Sequence, residues 1–93
     1  MAKYKITGHS MEPLLKNGDK IIATGLFYLF QSPKINDIVV FKDSKGKVFI
    51  KRIEKINKGK YFMLGENKKD SFDSRKFGEI VRNQILGKFI YKI

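Results

Sequence analysis

Between residues 38 and 64 the chain reads IVVFKDSKGKVFIKRIEKINKGKYFML, three apolar runs separated by two short turns that contain glycine. No other feature limits the fold as strongly. The runs IVVFK, KVFIKRIEKI and YFML are rich in β-branched and aromatic residues, which suit a pleated, half-buried backbone. DSKG and NKGK have the length and composition of connections between antiparallel neighbours. The rest of the chain follows the same grammar. DKIIATGLFYLF, residues 19–30, reads as a strand with Gly25 as a bulge or bend. SPKIND, residues 32–37, is a loop punctuated by Pro33. EIVRNQILGKFIYKI, residues 79–93, reads as one or two strands broken at Gly87, and a helix over residues 77–86 fits the period less well. A polar loop, ENKKDSFDSRKFG, fills residues 66–78, a length at which loops in small domains often carry function. The expectation is a mainly β, compact single domain over residues 1–93.

Composition removes several function classes. The chain has no cysteine and one histidine, which leaves no disulfide framework, no thiolate site and too few ligands for zinc. A net charge of +11, from 20 basic and 9 acidic residues, fits a Lys-rich soluble surface, nucleic acid or anionic lipid headgroups. The basic residues are dispersed along the chain, which weighs against nucleic acid. The longest apolar run, residues 21–30, is far short of the roughly 20 residues that span a bilayer. No signal-peptide core follows the basic N-terminus. The chain is therefore expected to carry no anchor, which leaves a peripheral membrane surface or the cytoplasm as its place.

The chemistry concentrates in GHSMEP, residues 8–13. Ser10 is a candidate nucleophile, and a serine hydroxyl needs a base. His9 is poorly placed for that, because adjacent residues of an extended chain point to opposite faces. With no second histidine, a Ser-His-Asp arrangement is excluded. A lysine can serve if burial holds it neutral, since desolvation penalises the ammonium form. Alternation in KVFIKRIEK puts Phe49, Lys51 and Ile53 on one face and Val48, Ile50 and Arg52 on the other. Lys51 thus stands where a core residue is expected. On pattern alone, an edge-strand lysine snorkelling to water is the commoner outcome.

At these residues the chain resembles the S26 serine peptidases, the type I signal peptidases. GHSMEPLLKNGD is similar to their nucleophile box, NDIVVFKD to a Gly-Asp-Ile-Val-Val-Phe box and FIKRI to the lysine box. LGENKKDSFDSRKFG is similar to the box that ends Ser-Arg-x-aromatic-Gly, and ILGK to the closing segment. Self-cleaving repressor-type peptidases share the Ser and Lys pair but lack the box at residues 67–75. The resemblance implies the signal-peptidase and repressor-autoprotease β-fold, reduced to its catalytic core. Only residues 52–60 separate Lys51 from YFML, which leaves no room for a large accessory domain.

The resemblance also implies roles. Ser10 would be the nucleophile, Lys51 its general base and Ser71 the hydroxyl that orients the lysine. Asp73 and Arg75 would form a supporting ion pair, and Gly65 would let its loop pass close to the lysine. Gly8 stands where some members carry an oxyanion-stabilising serine, so the Ser10 backbone N–H would serve instead. Glu66 and Asn36 replace the usual Asp and Gly, and Asn tolerates the left-handed backbone that a glycine there would supply. The implied activity is cleavage of signal peptides or propeptides after small residues, in the Ala-x-Ala sense, with no metal or organic cofactor. The implied partner is a preprotein or proprotein, with peripheral contact to an anionic membrane. A soluble maturation protease for one partner, similar to those of nickel-type superoxide dismutase, is the alternative. From other classes, a basic nucleic-acid-binding barrel would use Phe27, Tyr28, Phe30, Phe41 and Phe49 as stacking rings, and an inactive binding domain would keep the fold alone.

Overall fold

In the computed structural model, which describes residues 1–67, 69 and 71–93, the chain forms one antiparallel sheet of seven strands. The strands are β1 (Ala2–Lys5), β2 (Lys20–Thr24), β3 (Ile38–Lys42), β4 (Val48–Asn57), β5 (Lys60–Leu64), β6 (Ile80–Val81) and β7 (Ile85–Lys92). Their order across the sheet is β1-β2-β7-β3-β4-β5-β6. The hairpins read from the sequence form as expected, with β3 on β4 and β4 on β5.

The curled sheet is covered on both sides, and β3 shows why. Val39 and Phe41 enter one apolar cluster with Ile53, Met63, Ile80 and Ile85, while Ile38 and Val40 enter another with Met11, Leu15 and Ile21. A strand buried on both faces reads as a continuous apolar run, which is what IVVF is. Each such side chain contributes about 1.5–3 kcal/mol on burial. The second cluster matters for function, because it anchors the turn that carries Ser10.

Three local expectations are corrected. LFYLF does not extend β2, since Leu26–Leu29 form a 3-10 turn. Tyr28 is buried there, and its hydroxyl donates to Asp37 Oδ2 at 2.6 Å, whereas Leu26, Leu29 and Phe30 face outward. A strand would have pointed Leu26, Tyr28 and Phe30 to one side, so anchoring of Tyr28 overrides strand propensity. Gly87 does not break the last strand. It lies within β7, where a Cβ would come within 2.8 Å of the Thr24 carbonyl carbon. The break falls earlier, at a 3-10 turn over Arg82–Gln84. Within the polar loop, Ser74–Phe77 form a short helix, α1, and Lys68 and Asp70 lie outside the described residues.

Four of the five rings considered for base stacking are engaged in packing. Tyr28 and Phe41 are buried, Phe27 packs on the same cluster, and Phe49 stacks between Phe41 and Phe72. Phe30 alone of the five is fully exposed, at 90%. Among the described residues, no helix is long and apolar enough to cross a membrane.

Candidate active site

Ser10 sits in a turn held from two directions. From below, Met11 and Leu15 are almost wholly buried in the second cluster, and Leu15 N–H donates to the Met11 carbonyl at 2.9 Å. The Glu12–Pro13 peptide in this turn is cis. From above, residues 65–67 lie across the turn as a strap. Asn67 N–H donates to the Ser10 carbonyl at 2.7 Å and its side-chain amide to the His9 carbonyl at 3.2 Å. Glu66 N–H approaches Met11 Sδ at 3.4 Å. Sequence reasoning missed Asn67 as a clamp. Its only signal was its place in the Gly-Glu-Asn triplet.

Lys51 comes to Ser10 from β4, 41 positions along the chain, and its Nζ lies 2.6 Å from Ser10 Oγ. The residue is only 3% exposed. The expectation that Lys51 snorkels to water is overturned, because the residue is buried opposite the fully buried Val39, although β3 is its only described strand partner at this position. Phe49 flanks the amine on the same face, with its ring centroid 5.9 Å from Nζ. Phe72, also unanticipated, stacks on Phe49 and lines the groove above the pair. His9 meets Glu12, with Nδ1 and Oε2 2.6 Å apart.

Gly65 explains the close fit of the strap. A Cβ there would lie 2.2 Å from Ser71 Oγ and 2.7 Å from the Ser10 carbonyl oxygen. The atoms nearest that point belong to Ser71 and Ser10 rather than to Lys51. The Ser71 hydroxyl is buried and forms no hydrogen bond of normal geometry. It nevertheless favours the charged form of the neighbouring Asp73 carboxylate.

Asp73 is completely buried and ties the strap at Gly65 to the start of α1. Its Oδ1 accepts the Arg75 backbone N–H at 3.1 Å, which caps α1, and Arg75 Nε at 2.9 Å. Its Oδ2 accepts Arg75 Nη2 and Gly65 N–H, both at 3.1 Å. Burial pushes the carboxyl up, but the hydrogen bonds from Arg75 and Gly65 outweigh it and hold the group below the ordinary carboxylate range. A second pair, Arg52 with Glu66, ties β4 to the strap, and Arg52 Nη1 also donates to the Asn36 carbonyl at 2.9 Å. Asn36 has φ of 77°, the left-handed turn expected of it. Gly8 has φ of 83°, and its N–H is taken by Asn17 Oδ1 at 2.9 Å.

Ser10 and Lys51 open onto a groove of about 440 Å3 between residues 4–11 and residues 47–51. A hydroxyl in contact with a buried amine, beside an open groove, is an arrangement suited to acyl transfer. The chain belongs to the S26 signal peptidase family, whose sequence profile (Signal peptidase, peptidase S26) matches residues 1–54 and 53–93. It is 27% identical over 135 residues to Signal peptidase I V of Bacillus subtilis (strain 168), across 90% of this chain and 80% of that protein. It is 26% identical over 136 residues to the chloroplastic thylakoidal processing peptidase 1 of Arabidopsis thaliana. That alignment takes in 94% of this chain but only 40% of the plant protein. Signal peptidase IB of Staphylococcus aureus (strain Mu50) is 24% identical over 144 residues, across 96% of this chain and 75% of its own length. These alignments exceed the 93 residues of the chain, so the relatives carry inserted segments that it lacks. The profile match divides inside β4, just past Lys51, where this chain turns directly into β5.

Proposed function

We propose that this chain is a serine endopeptidase that uses Ser10 and Lys51 as a catalytic dyad. The observation that carries the reading is the 2.6 Å contact between Ser10 Oγ and the nearly inaccessible Lys51 Nζ. Burial against Phe49 and Val39 favours the neutral amine, which can accept a proton. Lys51 takes the Ser10 proton as Oγ attacks the scissile carbonyl. The resulting ammonium returns a proton to the departing amine, and an ester to Ser10 remains. Lys51 then deprotonates a water that cleaves the ester and releases the acid. The Ser71 hydroxyl, buried and without a hydrogen-bond partner among the described residues, is the group this reading assigns to hold the amine in line. The Ser10 backbone N–H is the oxyanion donor in this scheme, since the Gly8 N–H is already engaged.

The groove suits an extended peptide. Among the described residues, 48–50 of β4 take a strand partner from β3 only, because pairing with β5 starts at Arg52, and β1 takes one from β2 only. Two strand edges without a second strand partner among the described residues therefore border the groove, suited to bonding a substrate backbone. Preproteins or proproteins cut after small residues are the substrates of this reading. The single sheet supports a single catalytic domain over residues 1–93. Leu26, Leu29 and Phe30, exposed on a chain of net charge +11, support contact with an anionic bilayer.

The test is cleavage of a preprotein bearing an Ala-x-Ala site, with and without anionic vesicles. Ser10→Ala and Lys51→Ala should both abolish it, and the rate of the unaltered chain should rise with pH as the amine loses its proton. Activity in either variant, or a rate flat far below neutrality, would refute the dyad.

A further inference from the structure

The groove beside Ser10 is lined with Lys5, Lys47, Lys51 and His9, and no carboxylate is among its described lining residues. Lys51 is committed to Ser10, so the accessible positive charge comes from Lys5 on one wall and Lys47 on the other. Asp43, at the start of the β3–β4 turn, is turned inward and accepts the backbone N–H groups of Lys45 and Lys47, each at 2.9 Å. Lys47 also has a defined place. It shares the alternating face of Phe49 and Lys51, and its Nζ lies 5.2 Å from the Phe49 ring centroid. The Lys51 amine approaches the same ring at 5.9 Å. Both amines lie against one ring, so the Lys47 Nζ stands no more than about 11 Å from the Lys51 Nζ, and an extended strand advances about 3.3 Å per residue. A substrate paired to this free edge advances at the same rate. Its residue about three or four positions from the scissile bond therefore comes alongside the Lys47 ammonium.

We infer that the groove selects peptides with an acidic side chain about three or four residues from the cleaved bond, and that Lys47 is the residue that reads it. This rests on the peptidase reading for the position of the bond, but charge selection is a property of binding and can be measured without cleavage. The chain's excess of positive charge attracts any anion, so the signature to look for is dependence on position rather than a general preference.

The experiment uses the Ser10→Ala chain and short fluorescent peptides built on Ala-x-Ala. Each peptide carries one Glu, Gln or Lys at successive positions on either side of the expected cut. Fluorescence anisotropy should show Glu favoured over Lys about five- to tenfold at one position, with the preference shrinking at high salt. Adding Lys47→Glu should invert the preference there. Lys60→Glu makes the same change in net charge away from the groove and should leave it intact. Equal preference at all positions, survival of the signature in Lys47→Glu, or no peptide binding would overturn the inference. Cleavage of the same peptides by the unaltered chain tests the peptidase reading separately. Peptides bound with the signature but left uncut would sink that reading and keep this one.

Discussion

Gly65→Ala is the smallest change that should disable the site. The backbone there is not in the left-handed region, so the penalty is purely steric. The added methyl would lie 2.2 Å from Ser71 Oγ and 2.7 Å from both Ser71 Cβ and the Ser10 carbonyl oxygen. The Ser71 hydroxyl can rotate aside. The other two atoms move only with their backbones, and the Ser10 carbonyl is also fixed by Asn67 N–H. Forcing a methyl into a packed site costs about 1–3 kcal/mol. For a domain of this size that lowers Tm by roughly 5–20 °C. Displacing the nucleophile by about 1 Å is enough to lower turnover roughly 100-fold. Thermal unfolding followed by circular dichroism, paired with peptide cleavage, separates the two effects. The double variant Gly65→Ala with Ser71→Gly removes two of the three contacts. It should regain part of the Tm and little of the rate, because the contact with the Ser10 carbonyl remains. A Gly65→Ala protein with unaltered Tm and kcat would refute this account of the strap.

Two further outcomes follow from the buried groups. Asp73→Asn removes the charge that accepts from Arg75 and Gly65 and should cost about 1.5–3 kcal/mol at neutral pH. The Asp73 carboxyl is held below its unfolded value of about 3.9, so its contribution is fully present above that value. It is lost as pH falls through the folded value, and the Tm gap between the two proteins should close in acid. A gap constant from neutrality down to strong acid would contradict this. Lys51→Met keeps the length and removes a buried amine, so it should abolish cleavage while Tm holds or rises. Unfolding of that variant, or retained cleavage, would contradict the reading of Lys51 as functional rather than structural.

Much of the architecture was legible because it rests on local chemistry. Alternation and turn residues over 38–64 specify two hairpins whatever surrounds them, and both form. Alternation likewise put Lys51 on the face of Phe49 and Ile53. Pattern failed where a distant partner decided the local conformation. LFYLF turns away from the sheet because Tyr28 reaches Asp37, and β7 runs through Gly87 because a neighbouring strand passes too close for a side chain.

The same division holds at the site. The sequence by itself narrowed the candidate chemistry, since one histidine and no cysteine leave a serine with a lysine. It also determined that Lys51 shares a face with apolar neighbours. Whether that face is exposed or buried depends on which distant segment packs over it, which alternation does not encode. Tertiary structure decided it by bringing the Ser10 turn onto Lys51 and by closing the 65–67 strap over that turn. Burial and a 2.6 Å contact are relations between segments 41 residues apart, and they arise only when the sheet brings those segments together.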